Sequence, residues 1–198
     1  KFATQSAVFD CVPDFALTFG PAQGSSEAGD PVRYVGGIEQ DLSPTELKKA
    51  PAINTLTACF RYVFRGTATS LFIRTSTIGD LMVWSMLGYH GGGRFVSDLK
   101  PAFYRIHSNG LLSSQTRERQ QYMTAIAYMH LAAYHEEQSD PKAAQAALQS
   151  TLFHSRSMLG SLPAEPTLEH FDMLLPGLPP KRLFKLWRRA LKHRLLGR

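Results

Sequence analysis

The chain has 198 residues, of which 43% are hydrophobic and 19% are charged, and its formal net charge is +6. This composition excludes an intrinsically disordered chain and fits one folded domain, or a domain with an appendage. The two cysteines, Cys11 and Cys59, are too few and too far apart for a disulfide framework or a zinc site. No apolar run reaches the roughly 20 residues that a membrane-spanning helix needs.

The first part of the chain favours a helix, a strand and a loop, in that order. Residues 1–12 are typical of the end of a helix. The apolar, aromatic run from Phe15 to Phe19 predicts a buried strand, because Pro and Gly bound it on either side. Residues 20–37 are rich in Gly, Ser, Pro and acidic residues, and this composition predicts a loop.

Helix and strand signals alternate between residues 43 and 106. Ser43, Pro44 and Glu46 suit the N-cap, N1 and N3 positions and predict the start of a helix. Residues 53–60 alternate in polarity, which favours a strand. Residues 80–89 predict a helix that a glycine triplet ends. Two further extended segments are predicted at residues 94–98 and 103–106.

The chain becomes helical after residue 114. Residues 115–138 predict one long helix, and Asp140-Pro141 supplies an N-cap and N1 pair for a second helix that runs to Gly160. The two helices form a hairpin that is similar in length and alanine spacing to one tetratricopeptide unit, without a second copy. The alternative is a helical cover packed on the α/β core. Residues 161–180 contain five prolines and predict a linker.

Residues 181–198 hold eight of the 22 Lys and Arg residues and no acid, so the rest of the chain is slightly acidic. Helical spacing gives this tail one apolar face, formed by Leu183, Phe184, Leu186, Trp187, Ala190, Leu191 and Leu195. The other face is basic and is formed by Lys181, Arg182, Lys185, Arg188, Arg189 and Lys192. The pattern predicts an amphipathic helix on an anionic membrane surface, with Trp187 at the headgroup level. The alternative is that the apolar face docks on the hairpin.

Two short motifs carry the chemistry of the chain. The run Thr77 to Trp84 places Asp80 at a junction between a loop and a helix, and Tyr104 to Gly110 places His107 just past an extended segment. An acid and an imidazole in one cleft can serve as a general base and a metal ligand. Each also has a simpler interpretation: Asp80 as an N-cap, and His107 as a surface or structural histidine.

The order of these motifs resembles the C-terminal half of family 2 glycosyltransferases, which have the GT-A fold. The Lys1–Gln5 segment, Pro13-Asp14 and the following strand are similar to the segment after the family's metal-binding acids. Asn54–Arg61 is similar to the strand that meets the acceptor, and Asp80 takes the place of the catalytic acid. The resemblance covers residues 1–114.

The resemblance implies transfer of a sugar from a nucleotide-sugar donor to an acceptor hydroxyl, with inversion. Asp80 would be the catalytic base, and His107 would bind the divalent metal (Mg or Mn) or the donor diphosphate. Arg105 would pair with phosphate oxygens or, alternatively, form a salt bridge that orients its loop. A last group would line the acceptor site: Thr57, Arg61 and Trp84, of which Trp84 is also a candidate core residue.

The chain departs from the family pattern in two places. It has no Asp-x-Asp motif and no N-terminal β-α-β nucleotide-binding half, so the main metal-binding acids are absent. Gly110-Leu111-Leu112-Ser113 stands where the family often has Gly-x-Trp-Ser, which puts acceptor stacking on that Trp in doubt. We therefore expect a fragment that binds nucleotide-sugar poorly and exposes an apolar sheet edge.

The predicted fold class is α/β, a partial GT-A-like (Rossmann-like) core with a C-terminal helical hairpin and a basic tail helix. The expected units are a catalytic portion (1–114), a hairpin (115–160), a linker (161–180) and the tail (181–198). The expected partners are a nucleotide-sugar donor, a glycan or lipid-linked acceptor of cell-envelope polysaccharide synthesis, and an anionic membrane surface. The expected location is cytoplasmic and peripheral, on the inner face of the plasma membrane.

A rival hypothesis makes the chain a non-enzymatic helical interaction module. Its basic tail would bind an anionic membrane surface or an acidic partner. Nucleic acid is not an expected partner, because the sequence lacks the aromatic-interleaved strands of an RNA-binding sheet.

Overall fold

The computed structural model of the chain describes residues 2–26, 29–32, 37–64, 76–105 and 114–159, and within them the protein is a mixed α/β structure. His107, the linker at 161–180 and the basic tail at 181–198 lie outside the described residues, and so do the predictions made for them. Among the described helices, none is both long enough and apolar enough to cross a bilayer.

The first sheet is built around a short apolar strand near the start of the chain. Helix α1 (Phe2–Cys11) leads into strand β1 (Phe15–Phe19), as the sequence predicts. Strand β1 is central, and it pairs antiparallel with Cys59–Phe60 on one side and parallel with Gly92–Phe95 on the other. Four of its five residues are buried, so an apolar run was required here.

The predicted loop at 20–37 is partly wrong, because it contains two strands of a second sheet. These are β2 (Ala22–Ser25) and β3 (Pro31–Val32), which pair antiparallel. Strand β2 also pairs parallel with Ala102–Arg105, the last strand of the described chain. One partner of β2 is the two-residue β3 and the other, β6, lies far away in sequence, so the sequence around β2 carries no strong strand signal.

Each of the two sheets contains one parallel pair of strands, and the two pairs follow each other along the chain. Strands Cys59–Phe60, Gly92–Phe95 and Ala102–Arg105 are β4, β5 and β6, so that β1 lies beside β5 and β2 lies beside β6. Between the pairs, Val96 N donates to Phe19 O over 2.8 Å and Ala102 N donates to Pro21 O over 3.0 Å. Gly20 joins β1 to β2 at a close approach, because a Cβ there would lie 2.9 Å from Leu99 Cδ1 and 3.3 Å from the Val96 carbonyl oxygen.

A capping box starts helix α2 (Pro44–Lys48), as the sequence predicts. Ser43 Oγ accepts a hydrogen bond from Glu46 N over 3.2 Å, and Ser43 N donates to Glu46 Oε2 over 2.8 Å. The box satisfies backbone groups that the first turn would otherwise leave unpaired.

The strand expected at 53–60 is confirmed only at its end, where β4 lies. Residues Thr55–Thr57 form a 3₁₀ helix instead. The turn closes because the backbone N–H and the hydroxyl of Thr57 both donate to the carbonyl of Asn54, over 2.9 and 2.8 Å. At the exposed edge formed by β4, Phe60 is 39% exposed, and Tyr62 just beyond it is 66% exposed.

Helix α3 (Gly79–Leu87) confirms the predicted helix, and strand β5 follows after a glycine-rich turn. The strand begins at Gly92 and not at Arg94 as expected. Leu42 explains the shift, because its N–H and C=O exchange two hydrogen bonds with Gly93, of 2.7 and 2.8 Å. A Cβ at Gly92 would lie 2.5 Å from the Leu42 carbonyl oxygen, so only glycine permits this approach.

The predicted helical hairpin is confirmed. Helix α4 spans Arg117–Glu137 and helix α5 spans Pro141–Leu159. Asp140 starts the second helix, because its Oδ1 accepts a hydrogen bond from Ala143 N over 3.1 Å. Side chains of three helices and of the second residue after α2 bury one another in one cluster, which includes Ala50, Met82, Met86, Leu131 and Ala147. The hairpin is therefore a cover packed on the α/β core.

A buried polar network fastens the hairpin to that core. Ser85 Oγ donates to the Lys48 carbonyl over 2.7 Å and lies 3.1 Å from His135 Nε2. The Tyr89 hydroxyl lies 2.7 Å from His135 Nδ1, and Lys48 Nζ pairs with Asp140 Oδ2 over 2.9 Å. The Ser85 hydroxyl donates its only proton to the Lys48 carbonyl, so its oxygen accepts a hydrogen bond from His135 Nε2–H. His135 Nδ1 then accepts a hydrogen bond from the Tyr89 hydroxyl. Burial lowers the pKa of His135, which keeps the ring neutral.

Candidate active site at the start of helix α3

Asp80 lies in the first turn of helix α3, one residue after its first residue. Ile78 occupies the N-cap position and makes no side-chain cap. The interpretation of Asp80 as an N-cap is therefore wrong by two residues. Its Oδ1 accepts a hydrogen bond from the Leu81 N–H over 3.0 Å, at the end of the helix where the backbone dipoles favour a negative charge.

The second carboxylate oxygen of Asp80 is held from another segment. Thr55 Oγ1 donates to Asp80 Oδ2 over 2.8 Å, across 25 residues of sequence. Thr55 is exposed and begins the 3₁₀ helix. The sequence prediction missed it and named Thr57 in the same segment. Both threonines carry a hydroxyl. The 3₁₀ turn decides which hydroxyl reaches Asp80 and which is buried.

Thr57 is fully buried and does not line an open site. Its hydroxyl donates to the carbonyl of Asn54 over 2.8 Å, and its own carbonyl accepts from Gln5 Nε2 over the same distance. The structure thus gives Thr57 a role in shaping the 3₁₀ helix that presents Thr55.

Gln5 ties three elements together under the site. It is 0% exposed, and its Nε2 reaches Thr18 Oγ1 of β1 at 3.2 Å as well as the Thr57 carbonyl at 2.8 Å. Helix α1, strand β1 and the 3₁₀ helix are therefore linked by one side-chain amide. Only the donor half of this amide is satisfied, because its Oε1 is buried without a hydrogen-bond partner among the described residues.

Arg61 holds helix α1 against strand β1. Its guanidinium donates from Nε to the Phe15 carbonyl over 2.9 Å and from Nη2 to the Phe9 carbonyl. It also lies 4.8 Å from the centre of the Phe9 ring. These two backbone carbonyls fix the orientation of the guanidinium. Its N–H donors therefore point at the protein backbone and not into an open site.

Trp84 lies one helical turn beyond Asp80 and is only 2% exposed. Its ring meets Phe60 edge-on, with 6.2 Å between the ring centres. This burial places Trp84 in the hydrophobic core, where packing explains it.

Arg105 is exposed at the end of strand β6, where its backbone pairs with Ser25. Strand β6 runs beside the 3₁₀ helix that carries Thr55. The segment of Thr55 therefore contacts both Asp80 and strand β6. His107 lies two positions further on, outside the described residues.

The described residues do not by themselves fit a divalent metal. Within them, no three His, Cys, Asp or Glu side chains come together as a metal-binding group. The two oxygens of Asp80 already accept hydrogen bonds from Leu81 and Thr55. The arrangement thus holds a carboxylate in a fixed orientation and does not form a metal cage.

A carboxylate held in this way can accept a proton. An ionised carboxylate has about four lone-pair positions, and Asp80 uses two of them in the hydrogen bonds described above. The side chain is only partly buried, so a hydroxyl group can approach the remaining positions.

No family model, no curated protein and no solved structure matches this chain.

Proposed function

We propose that the chain is the acceptor-side portion of an inverting, nucleotide-sugar-dependent glycosyltransferase of the GT-A type. One observation carries the proposal, the hydrogen bond of 2.8 Å between Thr55 and Asp80. The resemblance assigns the first segment to the acceptor and the second to the catalytic base. Their direct contact supports one site for both.

In the proposed reaction Asp80 removes the proton of the acceptor hydroxyl. The acceptor oxygen attacks the anomeric carbon of the donor sugar from the side opposite the diphosphate. As the new C–O bond forms, the bond between that carbon and the diphosphate oxygen breaks, and the proton passes to the Asp80 carboxylate. The hydrogen bonds from Thr55 and Leu81 keep the carboxylate oriented while this happens.

Arg105 is the described residue that suits the leaving diphosphate. Its guanidinium is exposed at the end of β6 and offers several N–H donors to phosphate oxygens. A divalent metal would act there as a Lewis acid, with His107 as its proposed ligand. The described residues do not form that metal site, so no step is assigned to it.

Replacement of Asp80 tests the proposal. The chain would be expressed together with any coding sequence that lies upstream of Lys1, and release of nucleoside diphosphate would be measured from a panel of uridine, guanosine and thymidine diphosphate sugars. We expect Asp80→Asn to keep the fold and to lower turnover about 10²- to 10⁴-fold. Asp98→Asn, a change at an exposed carboxylate in the turn between β5 and β6, is the matched control. Near-normal turnover in Asp80→Asn would remove Asp80 from the mechanism.

Nucleotide binding separates the transferase from the rival interaction module. The 198-residue chain alone should bind nucleotide-sugar weakly or not at all, because the base pocket and metal acids of the family are not among its residues. Addition of any upstream coding sequence should restore binding. Titration calorimetry on both proteins measures this, and weak binding by both would favour the module.

A further inference from the structure

A groove lies between the end of helix α2 and the helical hairpin, away from the network that contains Asp80. Its volume is about 380 Å³, and it is open to solvent on one side. The side chains that shape it include Lys48, Lys49, Tyr128, Leu131, Ala147 and Phe153. Its lining thus combines two cations with apolar and aromatic side chains.

The charge of the groove favours an anion. Two consecutive lysines line it, and none of the described residues that line it is acidic. Lys48 is already paired with Asp140 over 2.9 Å, whereas Lys49 forms no ion pair among the described residues. Glu46 is near enough to interact with Lys49, but its carboxylate accepts hydrogen bonds from Ser43 N and Oγ over 2.8 and 2.6 Å. Lys49 is therefore the side chain that an anion would meet.

Helix α5 carries exposed apolar side chains at the groove, where Phe153 lines it, and next to it in the chain at Leu152. Phe153 is 65% exposed and Leu152 is 43% exposed, although both lie on a helix whose other face is buried. Arg156, also exposed, follows Leu152 and Phe153 at spacings of four and three residues and so shares their side of helix α5. Large apolar side chains flanked by cations are typical of proteins that rest on an anionic bilayer, where the side chains enter the headgroup region.

We propose that this groove is a binding site for an anionic lipid headgroup at a membrane surface. Lys49 contacts the phosphate, and Phe153 and Leu152 enter the interface beside it. The site is built from residues of the hairpin and of the end of α2. The proposal does not depend on the proposed transferase activity.

A fluorescent label at position 153 gives a local test in the full chain. Phe153→Cys would be made with Cys11→Ser and Cys59→Ser and labelled with an environment-sensitive fluorophore. Phosphatidylcholine vesicles would be compared with vesicles that also contain phosphatidylglycerol. We expect a blue shift with the anionic vesicles only. Lys49→Ala should raise the lipid concentration that gives half of the maximal shift about fivefold. That is the factor by which one basic residue strengthens binding to an anionic surface. Lys100→Ala, at an exposed lysine outside the groove, should leave it unchanged.

A second label and an acidic polymer complete the test. A label on the native Cys11 of α1, in a Cys59→Ser chain, should shift less than the label at 153. Three results would overturn the proposal: no shift at 153 while the chain still sediments with anionic vesicles, an equal shift with neutral vesicles, or an equal shift with polyglutamate. The last would identify an acidic protein as the partner. An unchanged midpoint in Lys49→Ala would reject Lys49 as the phosphate contact.

Discussion

The hydroxyl oxygen of Tyr89 lies 2.7 Å from Nδ1 of His135, and this contact joins the turn after helix α3 to the hairpin. His135 is 0% exposed, so its ring has no access to water. In the neutral ring Nε2–H donates to Ser85 and Nδ1 accepts the Tyr89 proton, whereas a protonated ring would make Tyr89 turn its proton to the more distant Asp140 Oδ2, at 3.4 Å. Protonation would remove that acceptor and place a charge inside the protein.

Acid should therefore destabilise the protein in a defined window. Unfolded His135 has its ordinary pKa of 6.5, and burial lowers the pKa in the folded protein. Below pH 6.5 the unfolded state binds a proton at His135 that the folded state does not bind. The free energy of unfolding therefore falls as the pH falls from 6.5 to the pKa of His135 in the folded protein. The slope from this group is at most about 1.4 kcal/mol per pH unit. Burial also lowers the pKa of His154, which acts in the same direction.

Urea unfolding between pH 5 and 8 measures this effect. His135→Gln keeps a polar side chain near Ser85 and Tyr89 but cannot titrate, so its stability should depend less on pH below 6.5. Asp140 does not titrate in this pH range, because its hydrogen bond with Lys48 lowers its pKa below the usual 3.8. Its effect on the free energy of unfolding therefore appears only under more acid conditions. If the free energy of unfolding depends on pH equally in the wild type and in His135→Gln, groups other than His135 cause the acid sensitivity.

Thr55→Val should weaken catalysis without unfolding the protein. Valine has the shape of threonine but cannot donate to Asp80 Oδ2. We expect turnover to fall about tenfold, because the carboxylate is then oriented less well. This corresponds to a rise of about 1.4 kcal/mol in the activation free energy. Thr55→Ser keeps the donor and should retain most of the activity. Thr45→Val, at an exposed threonine in α2, is the control. A loss shared equally by the Ser and Val variants would contradict the positioning role.

Gln5→Glu should destabilise the fold strongly. The Nε2 donor of Gln5 faces the Thr57 carbonyl and the Thr18 hydroxyl, and a carboxylate in its place would face the carbonyl as a second acceptor. The cost should be about 2–4 kcal/mol at pH 7 and smaller in acid, where the carboxyl is protonated. Chemical denaturation of Gln5→Glu and Gln5→Met at two pH values measures it. A pH-independent loss that matches the Met variant would mean that charge is not the cause.

Arg61→Lys should lower stability by about 1–3 kcal/mol, because lysine cannot reach the Phe9 and Phe15 carbonyls with a planar fork. Arg94→Lys is the matched control. Arg94 pairs with Asp41 at an exposed position, so its replacement should cost less than about 0.5 kcal/mol. If Arg61→Lys instead keeps stability and abolishes transfer, Arg61 belongs to the acceptor site.

Local signals predicted much of the secondary structure. The capping box at Ser43, the helix of Asp80 and the Asp140-Pro141 helix start all depend on residues within one turn of each other. Strand β2 was missed because its pairing with β6 joins segments far apart in sequence. A strand of four small and polar residues carries no apolar alternation that would indicate such a partner.

The site was predictable in part. The sequence indicated Asp80 and the segment that meets it, but it named Thr57 and not Thr55. That choice depended on whether residues 55–57 run as a strand or close into a 3₁₀ turn, and two hydrogen bonds to the Asn54 carbonyl decide it. The proposed meeting of Asp80 with His107 stays a prediction, because His107 lies outside the described residues.

The two parallel strand pairs affect how the protein forms on the ribosome. Strand β1 pairs with β5 and β2 with β6, so neither ladder can close until the second strand of each pair has left the exit tunnel. Until then the apolar strand β1 has only the two-residue β4 as a partner in its sheet. The α4–α5 hairpin, by contrast, joins neighbouring segments and closes as soon as it is made. Nascent chains that stall before residue 92 therefore leave β1 without its β5 partner and should be the ones that chaperones bind.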